Sequence, residues 1–415
     1  MKILIVNKFL YPNGGSETYI FEIGKCLESM GHEVQYFGME HEGRIVGNHL
    51  NLYTRDMDFH GGGIRNKLAK LTYPFRIIRS KEAYDKISRI LDDFKPDVVH
   101  FNNINFQLTP SVIEAVADHD IRNRTATCMV YTAHDAQWVC PNHLLTQPDG
   151  TICYDCRGCR YTNCIKHRCI HGSAIRSLIG ALEAYIYHRK RTYDLVDCII
   201  APSDYMREKL EADPVLKGKC IVLHNFIPDN SGRDDSYIDV SAQDKEQRKY
   251  VLYFGRYAAD KGIDTLLKAV GNLPDVDFVF AGSGPLESEI EKHANIENRG
   301  FTRGRALKEL IAGAAFSVLP PIEPENCPFT VMESITYNTP VIASNIGGTP
   351  ELLEHDRNGL LFEPGDAEKL TASIRTLWDD EELLSRLTQG CTDSRFMNVT
   401  EYCGELIRIY ADNKA

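Results

Sequence analysis

The sequence predicts an α/β fold built from two doubly wound domains in tandem. Three observations carry this. Short apolar runs alternate with longer amphipathic stretches, the pattern of buried parallel strands joined by helices. One polar, weakly periodic segment, NSGRDDSYIDVSAQDKEQR at 230–248, interrupts the alternation and reads as an interdomain linker. At 415 residues the chain also exceeds what one hydrophobic core usually serves.

The first domain, 1–229, takes its strands from KILIVNKF (2–9), EVQYFG (33–38), DVVHF (97–101), CMVYTAH (128–134), CIIAPS (198–203) and IVLHN (221–225). The second, 249–392, takes them from YVLYFGR (250–256), DFVFAG (277–282), AAFSVLP (314–320), PVIAS (340–344) and NGLLFEP (358–364). Helical periodicity follows at 366–379 and 381–389. The tail, 393–415, contains VTEYCGELIRIY (399–410), an amphipathic helix expected to return to the first domain. Ligands of such folds bind at the carboxyl ends of strands, which places the expected site in the cleft between the domains.

Composition narrows the function. Acidic residues outnumber basic ones by 58 to 47, a net charge of −11, which argues against a nucleic-acid partner. No run of about 18 apolar residues occurs. MKILIVNKF enters a strand pattern directly and lacks a signal-peptide core, so a cytosolic location is expected. In that reducing compartment the thirteen cysteines favour metal binding over disulfides.

Several strand ends carry candidate chemistry. YPNGGSE (11–17) offers Gly14 and Gly15 before a helix. It is either an anion-binding turn or a tight turn with Ser16 as N-cap. FGRYAADKG (254–262) puts Arg256 and Lys261 where a diphosphate would sit, although Lys261 also fits a solvated loop. AGSGPLE (281–287) is a weak dinucleotide match, because Glu287 replaces the third glycine. SNIGGTPEL (344–352) is another post-strand glycine turn, and YTAHDAQW (131–138) ends a strand at His134. In ENCPFTVME (325–333), Thr330 and Glu333 have the form of a capping box, while Glu325 and Glu333 together suit a ligand site.

Taken in order, Gly14-Gly15-x-Glu17, His134, the Arg256 and Lys261 loop, Glu325-x7-Glu333 and Gly347-Gly348-x-x-Glu351 resemble retaining glycosyltransferases of family 4 along essentially the whole chain. The resemblance implies the GT-B fold, two doubly wound Rossmann-like domains facing across a cleft, and a nucleotide-sugar donor. It implies that Glu325 holds donor-sugar hydroxyls and Glu333 the ribose. The amides near Phe329 and Thr330 would face sugar or phosphate. Arg256 and Lys261 would offset the departing diphosphate, so that no catalytic metal or other cofactor is required. His134 would lie near the anomeric centre, and Gly15 would approach the phosphates. It also implies a lipid-linked or oligosaccharide acceptor in surface polysaccharide assembly, such as capsule or exopolysaccharide. One departure stands out: Asn326, Cys327 and Pro328 occupy a turn that is glycine-rich and aliphatic in most relatives. An epimerase of the same fold and a metal-ribbon binding protein remain as alternatives.

Between 140 and 172 lie six cysteines. The spacing Cys153-x2-Cys156-x2-Cys159-x4-Cys164 suggests a structural metal, zinc ahead of an iron–sulfur cluster, or else a set of free thiols. IRNKLAKLTYPFRIIRSK (64–81) carries six basic residues, no acid and interleaved apolar residues. It reads either as a patch that docks on an anionic membrane or as an ordinary helix with a solvated basic face. The docking reading puts the protein peripherally on the inner face of the cell membrane, with YHRKR (187–191) adding to the patch.

Overall fold

The computed structural model describes residues 1–55, 77–227 and 249–414. The expected linker at 230–248 and residues 64–76 of the basic patch lie outside the described residues. The chain divides into two compact units, Met1–His224 with Val399–Ala415, and Asn225–Asn398.

The first unit is built on six parallel strands: β1 (Lys2–Val6), β2 (Glu33–Phe37), β3 (Val98–Phe101), β4 (Cys128–Thr132), β5 (Cys198–Ala201) and β6 (Cys220–Val222). Their order is β2-β1-β3-β4-β5-β6, with Ile5 opposite His100 and His100 opposite Val130. β3, β4 and β5 are buried at every position. That is why they read as continuous apolar runs and not as alternating ones. The connecting helices are α1 (Gly15–Ser29), α2 (Lys81–Phe94), α3 (Ser111–Asn123), α4 (Thr162–His167), α5 (Ala174–Arg189) and α6 (Asp204–Glu211). Ser80 caps α2 by accepting from the Ala83 amide, and Lys95 ends it in a left-handed conformation. Ile87, Leu91 and Phe94 of α2 join Val99 and Phe101 in the core. Each such side chain contributes roughly 1.5–3 kcal/mol by leaving water. Trp138 stacks between Tyr131 and Tyr193, with ring centroids 3.7 and 4.3 Å away.

The second unit has β7 (Val251–Arg256), α7 (Ile263–Gly271), β8 (Phe278–Ser283), α8 (Glu287–Ile290), β9 (Ile296–Asn298), α9 (Arg305–Gly313), β10 (Phe316–Leu319), α10 (Phe329–Thr336), β11 (Val341–Ser344), α11 (Thr349–Leu352), β12 (Gly359–Phe362), α12 (Ala367–Asp379) and α13 (Glu381–Thr392). Its parallel sheet runs β12-β11-β10-β7-β8-β9. β9 is missing from the sequence reading. It is a half-buried edge strand of three residues, Ile-Glu-Asn, too short and too polar to form an apolar run.

The last helix, α14 (Val399–Asp412), packs on α1 in the first unit. Buried hydroxyls tie it down. Tyr402 Oη lies 3.0 Å from Tyr19 Oη, and Tyr410 Oη lies 2.7 Å from His100 Nδ1. Thr132 completes the network, 2.7 Å from His100 Nε2 and 3.1 Å from Tyr19 Oη. His100 is fully buried, and burial pushes its pKa down to about 3, so it acts as a neutral hydrogen-bonding group.

Candidate active site

In each sheet the strand order reverses once, between β1 and β3 and between β7 and β10. The carboxyl ends beside such a reversal are where open α/β sheets bind ligands.

In the second unit this position is charged. Arg256 ends β7, is largely exposed, and donates to Asp260 Oδ2 at 2.6 Å. Lys261 closes the following turn, and its ammonium pairs with the Glu325 carboxylate, which follows β10. Two backbone contacts fix this pair. Gly262 is left-handed at φ +72°, and a Cβ there would sit 1.7 Å from the Pro320 carbonyl oxygen. Gly347, at φ +63°, would place its Cβ 2.1 Å from the Glu325 carbonyl oxygen. The Gly348 amide donates to that same oxygen at 2.8 Å. Only glycine permits approach this close, so the loops after β7, β10 and β11 lie backbone on backbone. Glu323, which the sequence reading passed over, belongs here too. Burial and the neighbouring Asp260 raise its pKa.

The ENCPFTVME turn departs from the capping-box expectation. α10 starts at Phe329 with Pro328 as N-cap, and no side chain caps it. Thr330 lies inside the first turn, so its hydroxyl is out of position for the N-cap role. Glu333 is one turn further on, and burial raises its pKa to about 7, with Lys308 opposing. Cys327 points into the core with Val331 and Met332. The Asn225 side chain donates to its carbonyl at 2.9 Å. The unusual turn is thus held by core packing behind it.

In the first unit the corresponding position is polar, with the buried Glu17 carboxyl held by uncharged donors. The α1 N-terminus has Gly14 as N-cap with no side-chain cap, which removes the alternative of Ser16 in that role. Ser16 instead donates to Glu17 Oε1 at 2.9 Å, and Asn7 donates to the same atom at 3.0 Å. Asn103 Nδ2 reaches Ser16 at 2.9 Å. His134, two residues beyond β4, donates from Nε2 to Asn102 Oδ1 at 2.9 Å and meets the edge of the Tyr19 ring at 4.8 Å. Burial lowers its pKa to about 4, leaving Nδ1 as a lone-pair acceptor. Gly14, Gly15 and His134 were named from sequence, whereas Asn7, Asn102, Asn103 and Tyr19 were missed. Two of those four had a signal, an asparagine directly after an apolar strand run, and Asn103 follows the second of them.

The cysteine insert regroups. The Cys159 thiol lies 2.8 Å from His188 Nε2 and 3.8 Å from Asp213 Oδ2. The other three expected ligands, Cys153, Cys156 and Cys164, line a separate cavity with Cys140 and Cys169. The four-cysteine set read from spacing is therefore split.

Solved structures of known proteins define the class. Sucrose-phosphate synthase from Thermosynechococcus elongatus superposes with a TM-score of 0.69 at 16% identity, covering 99% of this chain and 98% of that one. Anabaena Alr3699/HepE in complex with UDP-glucose gives 0.65 at 16% identity, covering 99% and 100%. These likenesses establish the GT-B fold. The family model for Glycosyltransferase Family 4 matches residues 13–231, over half of the chain, and that for Glycosyl transferases group 1 matches 237–392. The chain belongs to glycosyltransferase family 4. Among curated relatives, the sulfoquinovosyl transferase SQD2 of Arabidopsis thaliana is 30% identical over 33% of this chain and 28% of its own length. The lipopolysaccharide core biosynthesis glycosyltransferase LpsE of Rhizobium meliloti is 27% identical over 46% and 57%. An uncharacterized 42.6 kDa protein in the cps region of Klebsiella pneumoniae is 22% identical over 85% and 87%. The first three curated relatives are matched over only 28%, 40% and 60% of their lengths.

Proposed function

We propose that the protein transfers a sugar, with retention of anomeric configuration, from a nucleotide-sugar donor to a lipid-linked glycan during surface polysaccharide assembly. The observation that carries this is the cluster of Arg256, Lys261 and Glu325 around the β7/β10 reversal. Arg256 and Lys261 offset the charge that grows on the departing diphosphate. Glu325, oriented by Lys261 and the Gly347–Gly348 turn, accepts hydrogen bonds from the donor sugar. Glu333 accepts from the ribose, and the α10 amides at Phe329 and Thr330 face the anionic end of the donor. His134, neutral at physiological pH, accepts from a sugar hydroxyl near the anomeric carbon, and the Gly14–Gly15 turn serves the phosphates. The anomeric carbon–phosphate oxygen bond breaks, and a bond to the acceptor oxygen forms on the same face. The acceptor proton passes to the leaving phosphate. The LpsE and cps-region relatives support the polysaccharide assignment.

A thermal-shift panel of UDP-, GDP- and ADP-linked sugars tests the donor site, with Glu333→Ala beside the wild type. A cognate donor at about one hundred times its Kd adds roughly 2.7 kcal/mol of stability. The shift should appear with one base class and vanish in the variant. No shift with any donor, or an equal shift in the variant, removes the assignment.

The proposal places the protein on the cytoplasmic face of an anionic membrane. No helix among the described residues is long and apolar enough to cross one. Support comes from α5, where Ile175, Leu178, Leu182 and Tyr185 form an exposed stripe, Ile175 at 73%. Residues 157–191 carry eight Lys or Arg and a single acid, Glu183, which is buried. An apolar stripe flanked by exposed Arg168, Arg176 and Arg189 matches an anionic interface. Co-sedimentation with phosphatidylglycerol vesicles should be lost in Leu178→Glu/Leu182→Glu. Undiminished binding by that variant would exclude α5 as the contact.

A further inference from the structure

The cysteine insert holds a second site, independent of the donor reading. Five thiols, Cys140, Cys153, Cys156, Cys164 and Cys169, line one cavity of about 20 Å³. The local backbone gathers them. Arg168 is left-handed at φ +55°, and the Cys169 amide donates back to the Cys164 carbonyl at 3.1 Å, reversing the chain after α4. The Cys153 amide donates to the Leu145 carbonyl at 2.7 Å, which seats the start of the Cys-x2-Cys turn against the segment that follows Cys140. All five cysteines are free thiols.

We propose that Cys153, Cys156, Cys164 and Cys169 bind one zinc(II) ion as a tetrathiolate site. The sequence order becomes C-x2-C-x7-C-x4-C, within the spacings that tetrahedral zinc accepts. Cys140 stands apart because its thiol donates to Asn142 Oδ1 at 3.4 Å. Cys159 belongs to a separate trio with His188 and Asp213, whose ligand atoms lie within 4.8 Å of one another and could themselves hold an ion. A tetrathiolate zinc site carries two net negative charges, and two cations stand at this cavity. Lys209 is 8% exposed and sits over the rings of Tyr154 and Tyr205 at 4.6 and 4.8 Å, and Arg157 sits over Tyr154 at 4.5 Å.

Burial raises the Cys164 and Cys169 thiols and pushes Cys156 up to about 12. Zinc reverses that shift by deprotonating the sulfurs that coordinate it. Among the described residues the ligand atoms gathered closely enough to hold an ion are those of Cys159, His188 and Asp213, not these five sulfurs. Ligation at about 2.3 Å per sulfur therefore draws the side chains inward around a cavity already present. The site would cross-link residues 153–169 of the insert to one another, a structural role with an expected effect on folding of the insert.

The test is metal analysis of the purified full chain, with cobalt(II) substitution as an optical probe. Wild type should hold about one zinc per chain, and Cys156→Ser/Cys169→Ser less than about a tenth of that. Cys159→Ser and His188→Ala should keep the metal. Cobalt(II) should give thiolate charge-transfer bands in the wild type and in Cys159→Ser, but not in the double variant. Far-UV circular dichroism and the urea-unfolding midpoint show whether the double variant is still folded. Wild type without stoichiometric metal would overturn the proposal. So would disulfides linking these cysteines. Metal kept by the double variant and lost from Cys159→Ser would move the site to Cys159, His188 and Asp213.

Discussion

The two sheets present contrasting strand ends. In the first unit the reversal point is lined by Asn7, Asn102, Asn103 and a neutral His134, with His100 and Tyr19 buried behind. In the second it is lined by Arg256, Lys261, Asp260, Glu323 and Glu325, half-exposed or exposed, with Arg256 paired to Asp260 and Lys261 to Glu325. The same architecture carries mostly uncharged donors and acceptors around one buried carboxyl, Glu17, in one unit and a dense mix of charges in the other. Burial accounts for the difference. A buried polar group persists when it is neutral and hydrogen-bonded, whereas a charge persists where water or a counter-charge reaches it. Hydroxyl-rich ligands suit the first kind of surface and phosphates the second.

The sharpest way to break this comparison is to remove one charge from the second unit. Lys261→Ala should lower kcat/KM for sugar transfer by about 10²–10³, the usual cost of deleting a donor aimed at developing charge. It also frees Glu325 from its partner, so Lys261→Arg should recover part of the loss. Steady-state kinetics decide between them. If Lys261→Ala transfers sugar at the wild-type rate, the charged cluster is structural.

The next effect is on pH and stability. His100 at about 3 and His134 at about 4 sit below an unfolded value near 6.5. Between pH 6.5 and about 4 the unfolded chain binds protons that the folded first unit refuses. Stability there falls as pH falls, by about 1.4 kcal/mol per pH unit for fully buried His100. Glu333, raised to about 7, has the opposite sign: its contribution is present at low pH and is lost as pH rises through 7. Hydrogen exchange resolved by unit should show the first unit loosening on acidification. Stability flat between pH 6.5 and 4.5 would mean that the histidines are open to solvent.

The smallest effect concerns α10. Thr330→Ala should cost under about 0.5 kcal/mol in urea unfolding, because no cap is lost, against about 1 kcal/mol for a working N-cap. A loss near 1 kcal/mol would restore the capping box.

Much of this was legible locally. Ten of the eleven strand runs were readable because burial leaves nearly uninterrupted apolar sequence, while β6 is a partly exposed edge strand read from its composition alone. Arg256, Lys261, Glu325 and His134 were readable because strand ends are positions in the sequence. Asn102 and Tyr19 were not, since nothing within ten residues says that they meet His134. β9 was lost to its brevity. The expected Thr330 cap failed because Pro328 starts the helix two residues earlier, although the same four letters would fit either start.

The cysteines show the division most plainly. The sequence by itself determined that the chain alternates strand and helix, which strand ends carry charge, and that six cysteines crowd into 140–172. These follow from periodicity and composition, which act over a few residues. Only the tertiary structure decided that Cys159 turns to His188 and Asp213 while Cys169 joins Cys153, Cys156 and Cys164. It also decided which partners the returning α14 finds, Tyr19 and His100. Spacing along a chain limits which side chains can meet. Which of them do meet is set by how the backbone turns and by which polar groups must find partners away from water.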